Sequence, residues 1–427
     1  MSHHFASAEA LALVGRAPAN TQFERSAAGE LPAQPPNTLA PRTAITIEVA
    51  SGDRLLALEP QWQDLVARAD AANIFMHPAL AHLGSEAYPE RCCRVVLAWQ
   101  DTAVPRLVGI WAFAVGRPPR SIIPISVLSA PAVPNAYLST PVVDRNCLED
   151  VLAAMLDHIA TAENLPSIVA LDAMGADTAT MQALTRVLAQ RGSPMRIFTR
   201  SIRPTLASKL DGKAYLEQAL SSSSRKKLRQ HRRRLAEKGV LQPAALTEPH
   251  AVRSAFEEFL SLEAAGWKGR QGTALLNKPA DARFARAMIA TLSARGDAAI
   301  HQLTLDARPV SMQVVLHAGP AAFTWKTAYA EALHDFSPGV LLLEDYTAAL
   351  LADRRVSYVD SCAFDDSGYM ATWKERAAVA GLWFSLRRNR SWTFSTMAQL
   401  QDSYLALRER AKALHHDRKQ RNTHASK

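Results

Sequence analysis

The sequence offers little that could cross a bilayer or hold itself together covalently. No apolar run approaches the roughly 18 residues that span a membrane; the best, "AAVAGLWFSL", is about ten long and lies between Arg376 and Arg387. A basic start followed by an apolar core is missing at the N-terminus, so no signal peptide is expected. Only four cysteines occur, Cys92, Cys93, Cys147 and Cys362, with no CxxC pair. Adjacent Cys92 and Cys93 are poorly placed to bridge each other, so the expectation is free thiols in a reducing cytoplasm and no structural zinc. His3 and His4 sit in an arm too unstructured to bind metal well, and no metal is expected.

What is present is 427 residues of ordinary globular composition, 48% hydrophobic and 21% charged, with a net charge of +9. That charge is unevenly placed. The run Arg225–Lys238 contributes a local excess of about +7, and so does the tail from Arg387 to Lys427, which leaves about −5 for the rest. A mildly acidic body with two basic attachments is not a uniform nucleic-acid surface, and no nucleic-acid-binding motif is recognised, so DNA is not expected as a partner.

Residues 1–44, rich in Ala, Pro, Ser and Asn, read as a disordered leader. Ordered elements start at the alternating strand "AITIEV". A helix through Leu58, Trp62, Leu65 and Val66 follows, then strands "RCCRVVLAWQ" and "RLVGIWAFAV", a Pro-rich stretch, helix "CLEDVLAAMLDHIATAEN", strand "SIVALDAM" and helix "ATMQALTRVLAQRG". The second half repeats the order: helix 213–238, strand "VLQPAALT", helices "AVRSAFEEFLSLEAAGW" and "ARFARAMIATLSARG". Strands around a turn at Asp306–Pro309 come next, then "AAFTWKTAY", helix "PGVLLLEDYTAALLADRR", strand "VSYVDSCAF" and a last helix near "MATWKERAAVAG". Each half fits an α+β domain, and the tail 391–427 reads as a basic helix.

Three ordered stretches, "GWKGRQGTAL" (266–275), "FTWKTAYAEALHDFSPGVLL" (323–342) and "DSCAFDDSGYMATWKER" (360–376), resemble the GNAT acyltransferase superfamily in its CelD-type, Fem-like branch. The resemblance spans about 45–390 and is strong from about 213 to 386. It implies two tandem GNAT-like domains, 45–205 and 206–390, each a mainly antiparallel twisted sheet flanked by helices. It implies an acyl-CoA-dependent N- or O-acyltransferase, with acetyl-CoA or a longer acyl-CoA as cosubstrate and a saccharide or cell-envelope precursor as acceptor. The branch also contains transferases that take an aminoacyl group from tRNA. A third reading is a non-catalytic module that binds a polyanion or a membrane surface. The oligomeric state is not legible. No R/Q-x-x-G-x-G/A phosphate loop occurs, so acyl-CoA rests on the resemblance.

The residues themselves supply a candidate donor site. Pro338 and Gly339 open a helix after a strand, with Val340 behind them. Proline suits the first turn, glycine admits a close ligand, and free amides at the positive dipole end suit a phosphate or thioester oxygen. Lys268, Gly269 and Arg270 lie in a glycine-rich basic loop of a kind that can wrap an anion, or can be a plain turn. Asp360, at the end of an apolar strand, is the candidate general base; the competing reading has it cap the following segment or pair with Lys374 or Arg376. The resemblance makes Tyr329 the candidate acid for a departing thiolate; the competing reading is a core tyrosine with its hydroxyl satisfied. On "FTWKTAY", strict alternation sets Lys326 on the face opposite Phe323, Trp325, Thr327 and Tyr329. Arg225 and Arg229 on the basic helix, with Trp267, Lys326, Lys374 and Arg376, complete the expected substrate contacts. Leu228 and Leu235, seven apart, give that helix a narrow docking stripe and leave the rest cationic. A phosphorylated small molecule is the favoured partner there, with a lipid headgroup or tRNA as alternatives.

Overall fold

The computed structural model describes residues 44–118, 121–387 and 392–425, with side-chain surroundings given as far as 411. The leader, with His3 and His4, lies outside the described residues apart from Ala44.

The N-terminal copy runs β1 (Ile45–Ala50), α1 (Glu59–Arg68), α2 (Pro78–Ala87), β2 (Cys93–Gln100), β3 (Arg106–Gly116) and β4 (Val127–Ala130). It continues with β5 (Val142–Val143), α3 (Leu148–Thr161), β6 (Ile168–Gly175), α4 (Ala179–Arg191) and β7 (Met195–Leu206). Two helices, α5 (Gly212–Ala219) and α6 (Ser222–Ala236), lead into the second copy. That copy runs β8 (Leu241–Leu246), α7 (Pro249–Ala265), the single turn α8 (Trp267–Arg270), α9 (Pro279–Ser293), β9 (Ala298–Leu305), β10 (Arg308–Ala318) and β11 (Ala321–Tyr329). α10 (Pro338–Ala352), β12 (Tyr358–Asp360), β13 (Glu375–Ser385) and the tail helix α11 (Trp392–Ala425) complete it. The repeat expected in element order is therefore present, and the α+β class holds.

All the strands share one mixed sheet in the order β1-β2-β3-β4-β6-β13-β7-β12-β11-β10-β9-β8, with β5 alongside β3. In each copy a meander ends in a short parallel pair: β4 with β6 over Leu128–Ala130, and β11 with β12 over Ala321–Phe323. The copies then exchange their last strands. β13, from the end of the second copy, lies between β6 and β7, while β7, from the end of the first, pairs with β12. A division at 205/206 along the chain is thus not a division in space.

Three sequence expectations change. The helix over 213–238 is two helices, broken at Leu220, where Ser221 starts a fresh turn by accepting the Ser224 amide through its side chain. The last helix near "MATWKERAAVAG" is mostly strand β13: only Tyr369–Thr372 is helical, and Ala377–Gly381 bond to β7. Alanine favours helix only weakly when a strand slot between two others is open to it. Strands β4 and β5 and helix α2 also form where no element was expected, as does β7, whose Met195–Leu206 carries three arginines.

α7 and α9 cover one face of β9–β11; α10 with α5 and α6 covers the other, so the second copy is a three-layer unit. Phe256, Phe259, Met288 and Trp325 fill the first layer; Leu228, Leu235, Leu341, Tyr346 and Trp373 fill the second. Among the described residues, no helix is long and apolar enough to cross a membrane.

Candidate acyl-transfer site

β11 is the strand that shapes the site. Its register with β10 slips between Val314 and Val315: Val314 faces Lys326, whereas Val315 faces Thr324. Trp325 is the extra residue of a bulge. The alternation read from the sequence therefore changes phase there. Lys326 and Ala328 join Phe323 and Trp325 on the α7 side, as the Lys326–Glu263 contact and the burial of Ala328 in that core show. Thr327 and Tyr329 turn to the α10 side, where Tyr329 Cδ1 lies 4.0 Å from a Cβ built on Gly339 and Tyr369 stands beside Thr327. β12 pairs with β11 only as far as Phe323, so beyond it β11 has no strand on that edge among the described residues.

The open edge points towards the start of α10. Ser337 takes a left-handed backbone (φ 51°), an unusual conformation for a residue with a side chain, and makes no capping bond of its own. Its carbonyl accepts the amides of Val340 (2.9 Å) and Leu341 (3.1 Å). Pro338 has no amide to offer and is buried; Gly339 and Val340 are half-buried. The Gly339 amide has no acceptor among the described residues. Of the three donor residues expected at the start of α10, Gly339 alone thus presents an unpaired N–H. Arg234 and Lys238, from the end of α6, stand 5.7 and 5.4 Å over the ring of Phe336, next to this turn. The equivalent helix start in the N-terminal copy differs: α3 carries Glu149 and Asp150 in its first turn, which disfavours an anion.

The glycine-rich loop is not an open cradle. It forms the turn α8, in which a Cβ on Gly269 would lie 1.8 Å from the Ala264 carbonyl oxygen, so glycine is there for backbone packing. Lys268 Nζ donates to Glu263 Oε1 (3.2 Å) and to the Thr327 carbonyl (2.8 Å). Arg270 donates to Glu331 (2.6 Å), whose other oxygen accepts the Trp267 amide. These contacts tie α8 to the end of β11 and correct the expectation that Lys268, Gly269 and Arg270 grip the donor. Trp267 itself is half-buried.

Asp360 sits in a buried ion pair with Arg203 of β7 (2.7 Å) and accepts the Cys362 amide (2.8 Å). Both side chains are 3% exposed. Burial pushes the carboxyl up from its usual range and the guanidinium pulls it back. The partners expected from sequence are elsewhere: Arg376 is exposed and pairs with Asp366 (2.8 Å), and Lys374 is exposed. Arg203 was missed because its strand was missed. Cys362 is buried, with its thiol pushed far up by burial and by Asp360, which suits an inert thiol.

Arg225 lies 3.6 Å from Glu217, and Arg229 is exposed beside a cleft of about 530 Å³ between α5, α6, β8, β9 and α10. Arg232 crosses that cleft to Asp345 (2.9 Å) and the Leu341 carbonyl (3.1 Å), pinning α6 to α10. The cleft follows the middle turns of α10, and none of residues 329–340 lines it.

Residues 222–375 match the family model described as an acetyltransferase (GNAT) domain, which spans β11, α10, Asp360 and the basic helix. Among solved structures, the chain is similar to that of FemX, with a TM-score of 0.53 at 12% identity over 77% of this chain and 96% of that one. Weaker likenesses include the C-terminal domain of a putative lysylphosphatidylglycerol synthetase from Agrobacterium fabrum (0.47, 13%, 82% and 96%). A tandem GNAT protein from the clavulanic acid pathway is another (0.41, 13%, 82% and 100%). No curated protein sequence matches the chain. Residues 222–375 thus carry a GNAT acetyltransferase domain. The chain as a whole, with its two copies, shares its fold with FemX.

Proposed function

We propose that the protein is an acyl-CoA-dependent N- or O-acyltransferase of the cytoplasm, with the donor bound by its C-terminal copy. The observation that carries the reading is the open edge of β11, which leads from the bulge at Trp325 to the unpaired Gly339 amide. An extended, amide-bearing pantetheine arm is suited to a strand edge of this kind. Its phosphates are suited to a positive helix end, and Arg234 and Lys238 stand close by. Tyr329, on the same side as Gly339, is the group proposed to protonate the departing thiolate. Asp360, as base, would first have to release Arg203; we assign it to holding β12 against β7. An acceptor that is a saccharide or an envelope precursor rests on the resemblance.

The test is acetyl-CoA, then longer acyl-CoAs, in melting and titration calorimetry. The native chain is expected to gain stability with ligand concentration. Gly339→Val, which meets open space apart from Tyr329, is expected to melt cooperatively and to lose acetyl-CoA binding. Unchanged donor affinity in Gly339→Val removes the proposed site.

The exposed cations of α6, which run towards that helix start, favour a second reading: an aminoacyl-tRNA donor. It predicts no response to acyl-CoA, and tRNA binding that falls steeply with salt.

A further inference from the structure

The α7 side of β11 holds an unbalanced set of charges. The Glu263 side chain is fully buried and accepts the Leu275 amide (2.8 Å) as well as the Lys268 ammonium. Lys326 lies 3.8 Å from the same carboxylate, too far for a hydrogen bond, and its side chain is 9% exposed. Its ammonium has no hydrogen-bond acceptor among the described residues; its other close neighbour is the Trp325 ring at 5.7 Å. Two ammonium groups therefore share one carboxylate. From α9 and its N-cap, Asp281 and Lys278 act on Lys326 with opposite signs, and Tyr137 of the N-terminal copy, on which Glu263 acts, stays a neutral phenol. Burial pushes both lysines down from their usual range.

A nearly buried cation that must share its one carboxylate with a second ammonium is under-compensated, and such a charge is better satisfied where a further anion completes it. Lys326 sits one residue past the bulge, on the strand whose open edge is assigned to the donor, and faces away from the donor's helix. The Lys268 side chain is 22% exposed, so the pair is reachable from solvent.

We propose that Lys326, with Lys268 beside it, anchors an oxyanion carried by the acyl acceptor, a carboxylate or a phosphate. The inference rests on the acyltransferase reading above and narrows its acceptor to an anionic compound. Lys326 would be a binding and orienting group, with Glu263 holding the second ammonium in place.

The experiment compares melting in sodium chloride, acetate and inorganic phosphate at fixed ionic strength for the native chain, Lys326→Met and Gly339→Val. Trinitrobenzenesulfonate labelling of Lys326, read by peptide mass spectrometry, runs in parallel. Acetate or phosphate is expected to raise the native melting temperature above that in chloride and to slow the labelling by roughly threefold or more as the site fills. Lys326→Met is expected to lose the oxyanion effect while melting no lower than the native chain in chloride, because a buried charge has gone. Gly339→Val, altered only at the donor end, is expected to keep it. A response to acetate alone specifies a carboxylate, and one to phosphate alone a phosphate. No oxyanion effect on the native chain, or one that Lys326→Met retains, overturns the proposal. Loss of acetyl-CoA binding is scored separately, so either reading can fail without the other.

Discussion

Asp360 and Arg203 are the clearest case of chemistry set by surroundings. Breaking a buried pair by removing one partner leaves the other charge uncompensated, at a cost of about 3–5 kcal/mol. Arg203→Met and Asp360→Asn are therefore each expected to lower stability by about that amount in denaturant titrations, since each strands the charge of the other residue. If Asp360 were the base, Asp360→Asn would instead abolish turnover with its melting temperature unchanged. The residue types at the site were legible in the sequence: Asp360, Lys326, Tyr329 and Gly339 all lie where β11, β12 and α10 converge. The partners of Asp360 and Lys326 were not, because Arg203 lies 157 positions from Asp360 and Glu263 lies 63 from Lys326, and no local pattern encodes such a meeting.

At the level of elements, the bulge in β11 decides which side chains face which helix. Period-2 reading is sound up to Trp325 and wrong after it, since one extra residue inverts every later position. Helices with a clear apolar stripe, such as α7 and α9, were legible, whereas β13 was hidden by an alanine-rich sequence that suits either state. The hairpin joining β9 and β10 has Asp306 and Ala307 both left-handed, at φ 48° and 61°. That turn favours Asn or Asp followed by Gly. Ala307→Gly is expected to raise stability by about 1 kcal/mol through relief of the left-handed cost at a residue with a Cβ, measured by chemical denaturation.

Across the whole molecule, the copies also meet through an ionic group. Glu59 of α1 lies 3.4 Å from His77 Nε2 and 2.9 Å from Arg295, with Asp297 nearby. His77 Nδ1 accepts the Ala79 amide, so Nε2 carries the ring proton and faces Glu59 as a donor; a metal there would need the opposite tautomer. Burial raises Asp297 to about 6, and the nearby His77, the Gln63 hydrogen bond and the nearby Arg295 hold Glu59 at about 2 against its own burial. Because the Asp297 carboxyl is raised, the folded state holds its proton more tightly. Its contribution favours folding at low pH and fades as pH rises from about 4 through about 6. Asp297→Asn is therefore expected to raise the melting temperature at pH 7.5 and to have little effect at pH 4, in calorimetric scans across that range. Glu59 works the other way: its stabilisation is present above its ordinary value and is lost as pH falls towards about 2.

The exchange of β7 and β13 has a consequence during synthesis. The groove between β6 and β7 is filled by residues 375–385, which leave the ribosome long after both of its walls. At ordinary elongation rates the nascent N-terminal portion waits roughly ten to thirty seconds with two unpaired strand edges exposed. Translation arrested before residue 375 should therefore yield chaperone-bound, protease-sensitive chains, and full protection should arrive late and all at once.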